Sequence, residues 1–131
     1  MTETIVGEPG GRTAVLLTED EALIGLDLGD ILEGAGYRVI GPAATIAEAL
    51  SFMRRETPQM AIIDVRLRDG DCMEIMRDLR QRGVPFVVHS GCQVDQPFAA
   101  EFGDAPWLVK PASPRDVLAS LGRLNGSKAP C

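Results

Sequence analysis

The chain has 131 residues, 45% of them hydrophobic, and a formal net charge of −6 at pH 7. This length suits one compact domain with a hydrophobic core. The negative charge argues against direct nucleic-acid binding, because it would repel phosphates. The apolar runs are much shorter than the roughly 20 residues that cross a bilayer, and the segment 1–11 lacks a signal-peptide core. We therefore expect a cytoplasmic protein that does not enter the membrane.

The N-terminal part of the sequence predicts a tail followed by one strand and one helix. Residues 1–12 are polar and rich in glycine, which is typical of a disordered tail. The run TAVLLT at 13–18 predicts a strand that is buried on both faces. A helix is predicted over 22–35, because apolar residues recur there at helical spacing: Leu23, Leu26, Leu28, Ile31 and Leu32.

A second strand, a second helix and a third strand follow. YRVIG at 37–41 predicts a strand, and the segment 45–56 predicts a helix. Thr45 and Glu48 stand at the spacing of a capping box, in which two side chains bind the first backbone amides of a helix. MAIID at 60–64 predicts the third strand, which ends in a carboxylate.

The C-terminal half continues this alternation. The loop RLRDGD precedes a predicted helix, and Gly83 ends that helix before the fourth strand. The last helix begins near Ser113, since Ser-Pro supplies an N-cap with proline at the first helical position. Residues 125–131 are predicted to be a C-terminal tail. The predicted bounds are 72–81 for the third helix, 84–90 for the fourth strand, 92–102 for the fourth helix, 106–109 for the fifth strand and 113–124 for the last helix.

Five strands that alternate with five helices predict an α/β domain over residues 13–124. The strands would form one five-stranded parallel sheet, doubly wound, with helices on both faces and right-handed crossovers. Ligands of such sheets bind beyond the carboxyl ends of the strands. The residues that follow the strands should therefore show whether the domain has a chemical site.

Charged and hydroxyl side chains stand at four of these strand ends. They are, in chain order, Glu19, Asp20, Asp64, Ser90 and Lys110. Clustered carboxylates repel one another, by on the order of 4 kcal/mol for two charges about 4 Å apart at an effective dielectric constant of about 20. They consequently favour a hard divalent cation, and Mg²⁺ suits oxygen ligands and bridges carboxylates to phosphate oxygens.

The same residues fit phosphoryl transfer to a carboxylate. Asp64 could act as the nucleophile, while the metal, the Ser90 hydroxyl and the Lys110 ammonium stabilise charge on the phosphoryl oxygens. Taken singly, each residue has a simpler explanation as an acidic helix start, a turn aspartate, a strand-end hydroxyl or a surface lysine. The presence of the whole set at the expected strand ends favours phosphoryl transfer.

Four segments of the chain resemble the response-regulator receiver family, which has the CheY-like, flavodoxin-like fold. That family carries an acidic pair after the first strand, Asp after the third, Thr or Ser after the fourth and Lys-Pro after the fifth. The corresponding segments here are VLLTEDE, AIIDVRLRDGD, VVHSG and WLVKP. The resemblance extends over residues 13–124.

The resemblance implies a role for each site residue. The implied Mg²⁺ ligands are Glu19, Asp20, Asp64 and the main-chain carbonyl of Arg66. Asp64 would also accept the phosphoryl group, with Ser90 as the switch hydroxyl and Lys110 as the partner of the phosphate. A cis peptide bond is implied between Lys110 and Pro111.

The resemblance also implies partners. The domain would be a signalling protein and not an enzyme, phosphorylated by a sensor histidine kinase or a histidine phosphotransfer protein. No output domain follows residue 124, so we expect a stand-alone receiver that acts in a phosphorelay on a downstream protein target. The expected contact surface is the face made by the fourth helix, the fifth strand and the fifth helix.

A narrower likeness connects the chain with alphaproteobacterial receivers of the PFxFATGY type, which include general stress response regulators and stand-alone receivers. It rests on residues 19–50 and on the segment VPFVVHSG. The motif itself is altered, since Val88, His89 and Ser90 stand where Phe, Ala and Thr would be, and Cys92 replaces the final Tyr.

Two other functions stay open. A pseudo-receiver would keep the fold and signal without phosphate, and the altered VHSGC stretch is compatible with that. A metal-dependent hydrolase would also use Asp64 as its nucleophile, but it would need a second acid or base and a cap over its substrate. Incubation with a small phosphodonor and Mg²⁺ distinguishes the three.

Overall fold

The computed structural model of the chain describes residues 11–91 and 100–127. Most of the predicted N-terminal tail and most of the predicted helix over 92–102 lie outside these ranges, as do residues 128–131. Residues 100–102, at the end of that predicted helix, are helical. Within the described ranges, every helix is too short or too polar to cross a bilayer.

Short apolar runs form the strands and amphipathic segments form the helices, largely where the sequence predicts them. The strands of the main sheet are β1 Ala14–Thr18, β2 Arg38–Ala43, β3 Met60–Ile63, β6 Phe86–Ser90 and β7 Trp107–Val109. A separate two-stranded hairpin consists of β4 Arg66–Leu67 and β5 Gly70–Asp71. The helices are α1 Ala22–Gly34, α2 Ile46–Arg55, α3 Met73–Gln81 and α4 Pro114–Ser127.

The five strands of the main sheet are all parallel and lie in the order β2-β1-β3-β6-β7. This is the order of a doubly wound sheet, which has helices on both faces. One face packs side chains such as Leu16 and Ile63 against α2 and α3. The other packs side chains such as Val15 and Ile62 against α1 and α4. Neighbours on one strand belong to opposite cores because side chains alternate along a strand, and the predicted fold class is confirmed.

Thr45 is the N-cap of α2, as its spacing from Glu48 predicts. Its hydroxyl accepts a hydrogen bond from the Glu48 backbone N–H at 3.0 Å, and the Glu48 carboxylate accepts one from the Ala44 N–H at 2.8 Å. A cap of this kind typically contributes about 1 kcal/mol to stability. It also fixes the loop that follows β2.

Three details differ from the sequence prediction. The loop after β3 contains the β4–β5 hairpin, whose strands are too short to produce a detectable periodicity. Helix α4 continues to Ser127 and does not end at residue 124. Leu23 and Leu26 are 82% and 60% exposed, although they share helical spacing with buried residues of α1. The apolar residues of α1 therefore cover more of its circumference than the core can bury.

Candidate functional site

The carboxyl ends of β1, β3, β6 and β7 meet at one edge of the sheet, as parallel pairing requires. Glu19, Asp64 and Lys110 follow three of these strands, and their side chains meet there. Ser90 is buried at the end of β6 and pairs with Val109 on β7. Its carbonyl accepts the Lys110 backbone N–H at 2.6 Å. The structure thus places the predicted nucleophile, hydroxyl and ammonium at one edge.

Lys110 makes direct contact with two carboxylates. Its Nζ lies 2.7 Å from Glu19 Oε1, 2.9 Å from Glu19 Oε2 and 3.0 Å from Asp64 Oδ2. Oε2 accepts a well-directed hydrogen bond, whereas Oε1 is close to the ammonium without that geometry. The side chains of Glu19 and Asp64 are only 1% and 7% exposed. One ammonium therefore forms ion pairs with two buried carboxylates.

Burial dominates the electrostatics of these carboxylates. It raises the pKa of Glu19 and the pKa of Asp64 above their usual values, although hydrogen bonds from Lys110 partly offset the effect. Burial by itself would lower the pKa of Lys110, but the hydrogen bonds to both carboxylates outweigh it and the pKa is raised. Lys110 is thus a fixed cation, and the two carboxylates are only partly compensated. A further positive charge at this edge would stabilise them.

The backbone around Asp64 is held on both sides. Its N–H donates to the Thr18 hydroxyl at 2.9 Å, and its Oδ1 accepts a long hydrogen bond from the Arg66 N–H at 3.4 Å. Thr18 is absent from the residues that the sequence predicts for the site. A hydroxyl at the carboxyl end of a buried strand is the signal that could have identified it. Together these contacts orient the Asp64 carboxylate relative to the sheet.

Consecutive acidic residues after β1 form a group that could hold a cation. Carboxylate oxygens of Glu19, Asp20 and Glu21 lie within 4.8 Å of one another, and Glu19 is buried while Asp20 is half-buried. The charge of Asp20 also contributes to the raised pKa of Asp64, after the larger effect of burial. A set of hard oxygen donors with excess negative charge fits Mg²⁺. Glu21 extends the predicted set, and a ligand role for the Arg66 carbonyl stays a prediction.

A groove of about 450 Å³ lies beside the site, between α1 and the segment 110–114. The peptide bond between Lys110 and Pro111 in that segment is cis, as the resemblance implies. His89 lines the groove, is 5% exposed, and has no hydrogen-bond partner for Nε2 among the described residues. Burial, and then the charge of Lys110, lowers the pKa of His89 to about 4. His89 is therefore a neutral, packed side chain at pH 7.

The doubly wound sheet, with an acidic pair after β1, an aspartate after β3 and a lysine after β7, defines an α/β domain of the receiver type. Residues 15–122 match the response regulator receiver domain family. The chain belongs to this family, whose members generally act in signalling rather than as enzymes.

Relatives of known sequence or structure agree with this assignment. The phyllosphere-induced regulator PhyR of Methylorubrum extorquens is 30% identical over 114 residues, which are 85% of this chain and 43% of that protein. The KDP operon transcriptional regulatory protein KdpE of Escherichia coli is 38% identical over 112 residues, 83% of this chain and 49% of KdpE. The chain spans about half the length of the curated relatives that it matches.

Solved structures give the same result. SdrG from Sphingomonas melonis Fr1 has a TM-score of 0.71 and 34% identity, covering 85% of this chain and 94% of that one. A CheY-like receiver domain protein from Methanospirillum hungatei JF-1 has a TM-score of 0.78 and 26% identity, covering 86% and 93%. The narrower likeness to receivers of the PFxFATGY type stays a prediction.

Proposed function

We propose that the domain accepts a phosphoryl group on Asp64 from a phosphohistidine of a partner protein. This proposal rests on the contact of the Lys110 ammonium with both Glu19 and Asp64. Partly compensated buried carboxylates are costly for a fold and are typical of functional sites. In the transfer, a carboxylate oxygen of Asp64 bonds to phosphorus, the P–N bond breaks, and the partner's imidazole leaves with the electron pair.

Lys110 and Ser90 would stabilise the phosphoryl group on Asp64. The Lys110 ammonium already reaches Asp64 Oδ2 and needs only a small displacement to reach a phosphoryl oxygen. Ser90 ends β6, the strand that pairs with β3 next to Asp64, so its hydroxyl could donate to another phosphoryl oxygen. Donors aimed at developing negative charge in a partly enclosed site stabilise the transition state as well as the product.

Glu19, Asp20 and Asp64, with the main-chain carbonyl of Arg66, would hold Mg²⁺. When bound, the ion supplies positive charge that neutralises phosphoryl oxygens and favours the ionised carboxylates. The incomplete compensation of Glu19 and Asp64 by a single ammonium supports this use of a cation.

Incubation with acetyl phosphate and Mg²⁺, followed by intact-mass measurement, tests the proposal. We expect one added phosphoryl group on the wild type and none on Asp64→Asn. Asp71→Asn is the matched control, because Asp71 is an exposed carboxylate on the same loop and should not affect labelling. Label on Asp64→Asn would contradict the assignment of the nucleophile. An unmodified wild type would indicate a pseudo-receiver, and continuous consumption of acetyl phosphate would indicate a hydrolase.

The exposed apolar surface of α1 supports a docking position for the phosphate donor. Leu23 and Leu26 are largely exposed, and Leu23 also lines the groove that extends to Lys110. Exposed apolar patches commonly mark interaction surfaces. A sensor histidine kinase or histidine phosphotransfer protein bound there would bring its phosphohistidine to the carboxyl edge of the sheet.

The downstream protein target would contact the surface around residues 100–109. Helix α3 is joined to this segment by ion pairs, since Arg77 binds Glu101 through two hydrogen bonds of 2.8 and 2.9 Å and Arg80 binds Asp104 at 2.5 Å. The segment continues into β7, which leads directly to the site. Movement at the phosphorylated carboxylate could therefore reach this surface through β6 and β7.

A further inference from the structure

We propose that Asp69 is a positioning residue for the cation site. Its carboxylate ties the β4–β5 hairpin to the start of α2 and so holds the main-chain carbonyl of Arg66 in place relative to Glu19 and Asp20. Asp69 lies in the turn of the hairpin, and its own contacts are with α2. Because it concerns a bound cation, this role rests on the proposed function.

The Asp69 carboxylate binds the first two backbone amides of α2. Oδ1 accepts the Ile46 N–H at 2.7 Å, and Oδ2 accepts the Ala47 N–H at 3.2 Å. The Thr45 hydroxyl accepts a hydrogen bond from the backbone amide of Glu48. A helix leaves its first N–H groups without intrahelical partners. Here a carboxylate from another part of the chain accepts hydrogen bonds from two of these N–H groups. The bond from Ile46, and then that from Ala47, lowers the pKa of Asp69, so its carboxylate is ionised at neutral pH.

Arg68, the other residue of the hairpin turn, makes weaker contacts with the segment before α2 and with the loop after β1. Its N–H donates to the Ala44 carbonyl at 3.2 Å, and its guanidinium lies 3.4 Å from the Asp20 carbonyl. Both distances are at or beyond the long end of ordinary hydrogen bonds. The short bond between Asp69 Oδ1 and Ile46 is therefore the main link between the hairpin and α2.

The segment 43–47, to which the hairpin is hydrogen-bonded, also forms a hydrogen bond with the first residue of the acidic pair. The Glu19 N–H donates to the Ala43 carbonyl at 2.9 Å. The loop after β1 and the loop after β3 are thus attached to one short segment, which sets the distance between them. A cation that takes ligands from both loops binds more tightly when this distance is already fixed. Side chains that orient ligands without touching the metal commonly change its affinity by about 10–100-fold.

Asp69→Ala tests this role, with Thr45→Ala as the matched control. Both substitutions remove hydrogen-bond acceptors from the start of α2 and should lower the melting temperature, but only Asp69→Ala removes the main link between the hairpin and α2. In calorimetric titrations with MgCl₂, we expect the Kd for Mg²⁺ to rise about 10-fold in Asp69→Ala and to stay unchanged in Thr45→Ala. Asp69→Asn loses the charge but keeps one acceptor oxygen, so its Kd should lie much nearer the wild-type value.

The other outcomes separate the competing explanations. Equal Mg²⁺ affinity in the wild type and in Asp69→Ala would overturn the positioning role and leave the cation site standing. An equal loss in both alanine variants would assign the effect to helix stability, and an equal loss in Asp69→Ala and Asp69→Asn would assign it to charge; either result overturns the role. A wild type that binds no Mg²⁺ would overturn the cation site and the role together. Circular dichroism checks the fold, and Asp69→Ser replaces the alanine variant if that protein is unstable.

Discussion

Lys110 explains how two buried carboxylates coexist at the edge of the sheet. Its ammonium contacts both Glu19 and Asp64, yet one positive charge cannot neutralise two negative ones. Burial therefore raises the pKa of each carboxylate despite the ion pair. Such an arrangement contributes little to stability and is typical of a functional site.

Replacing Lys110 by Met should destabilise the fold, because Glu19 and Asp64 would remain buried without a counter-charge. Removing one partner of a buried ion pair costs about 3–5 kcal/mol, and we expect the lower end of that range because Lys110 is itself partly exposed. Urea unfolding in EDTA at neutral pH measures the loss. Mg²⁺ should then stabilise Lys110→Met more than the wild type, since it replaces the missing positive charge.

Arg115→Met is the matched control for this experiment, because Arg115 is an exposed cation on α4 and exposed charges contribute little to stability. Its unfolding free energy and its response to Mg²⁺ should both equal those of the wild type. A smaller Mg²⁺ effect in Lys110→Met than in the wild type would contradict a cation site beside Lys110.

Asp64→Asn should be more stable than the wild type when divalent cations are absent. The substitution removes the burial penalty of one carboxylate and leaves Lys110 paired with Glu19, for a gain of about 1 kcal/mol. Chemical denaturation in EDTA measures it, and added Mg²⁺ should reduce the difference because the wild type gains more from the cation. A less stable Asp64→Asn protein in EDTA would mean that the ion pair outweighs the burial penalty.

The loops around the site show what the sequence could and could not predict. The places of Asp64, Ser90 and Lys110 follow from apolar runs that mark the strands and from the parallel order, which brings strand ends together. The β4–β5 hairpin could not be predicted, because two-residue strands have no periodicity. Its position depends on Asp69 bonding to α2, which is a contact between residues far apart in the sequence.

Helix α1 illustrates a second limit of sequence patterns. Helical spacing identifies Leu23 and Leu26 as apolar positions, but it does not reveal how much of the circumference the neighbouring elements cover. Both side chains are exposed in the fold. An apolar surface that the core does not use is available for a partner, and it lies beside the site.

Leu23→Gln should slow phosphotransfer from a histidine kinase by about 5–10-fold in kcat/KM, because an apolar contact in the docked complex is lost. Labelling by acetyl phosphate should be unchanged, since that donor needs no protein surface. Kinases purified from the source organism provide the assay. Val109→Thr alters another exposed apolar residue, on β7, and should not change transfer. Equal losses with both donors in Leu23→Gln would indicate damage to the site and not to docking.

Strand β6 ends at the site, and its side chains alternate between the two hydrophobic cores of the molecule. His89 follows Val87 by two positions and therefore shares its face, on the side of α1 and α4. Strand alternation turns His89 away from Ser90 and toward that core, where its side chain is buried. Its lowered pKa could not be predicted, because it depends on the burial that the whole fold produces and on the charge of Lys110.

Protonation of His89 should make the fold of the whole domain acid-sensitive. The pKa of His89 is lowered to about 4 in the folded protein from an ordinary value of 6.5, so the unfolded chain binds a proton first as the pH falls. The contribution of the neutral side chain is fully present above the ordinary pKa and is lost as the pH falls through the folded value. The complete loss is on the order of 3 kcal/mol.

The stability difference between His89→Leu and the wild type isolates this effect. The raised pKa values of Glu19 and Asp64 act in the opposite direction, because those carboxylates favour the folded state more as the pH falls through their folded pKa values. They are common to both proteins and largely cancel in the difference. Urea unfolding between about pH 4.5 and 7.5 should therefore show that the unfolding free energy of His89→Leu increases relative to that of the wild type as the pH decreases. A difference that stays constant over this interval would mean that the folded and unfolded states bind the His89 proton equally, and that the buried imidazole does not couple folding to pH.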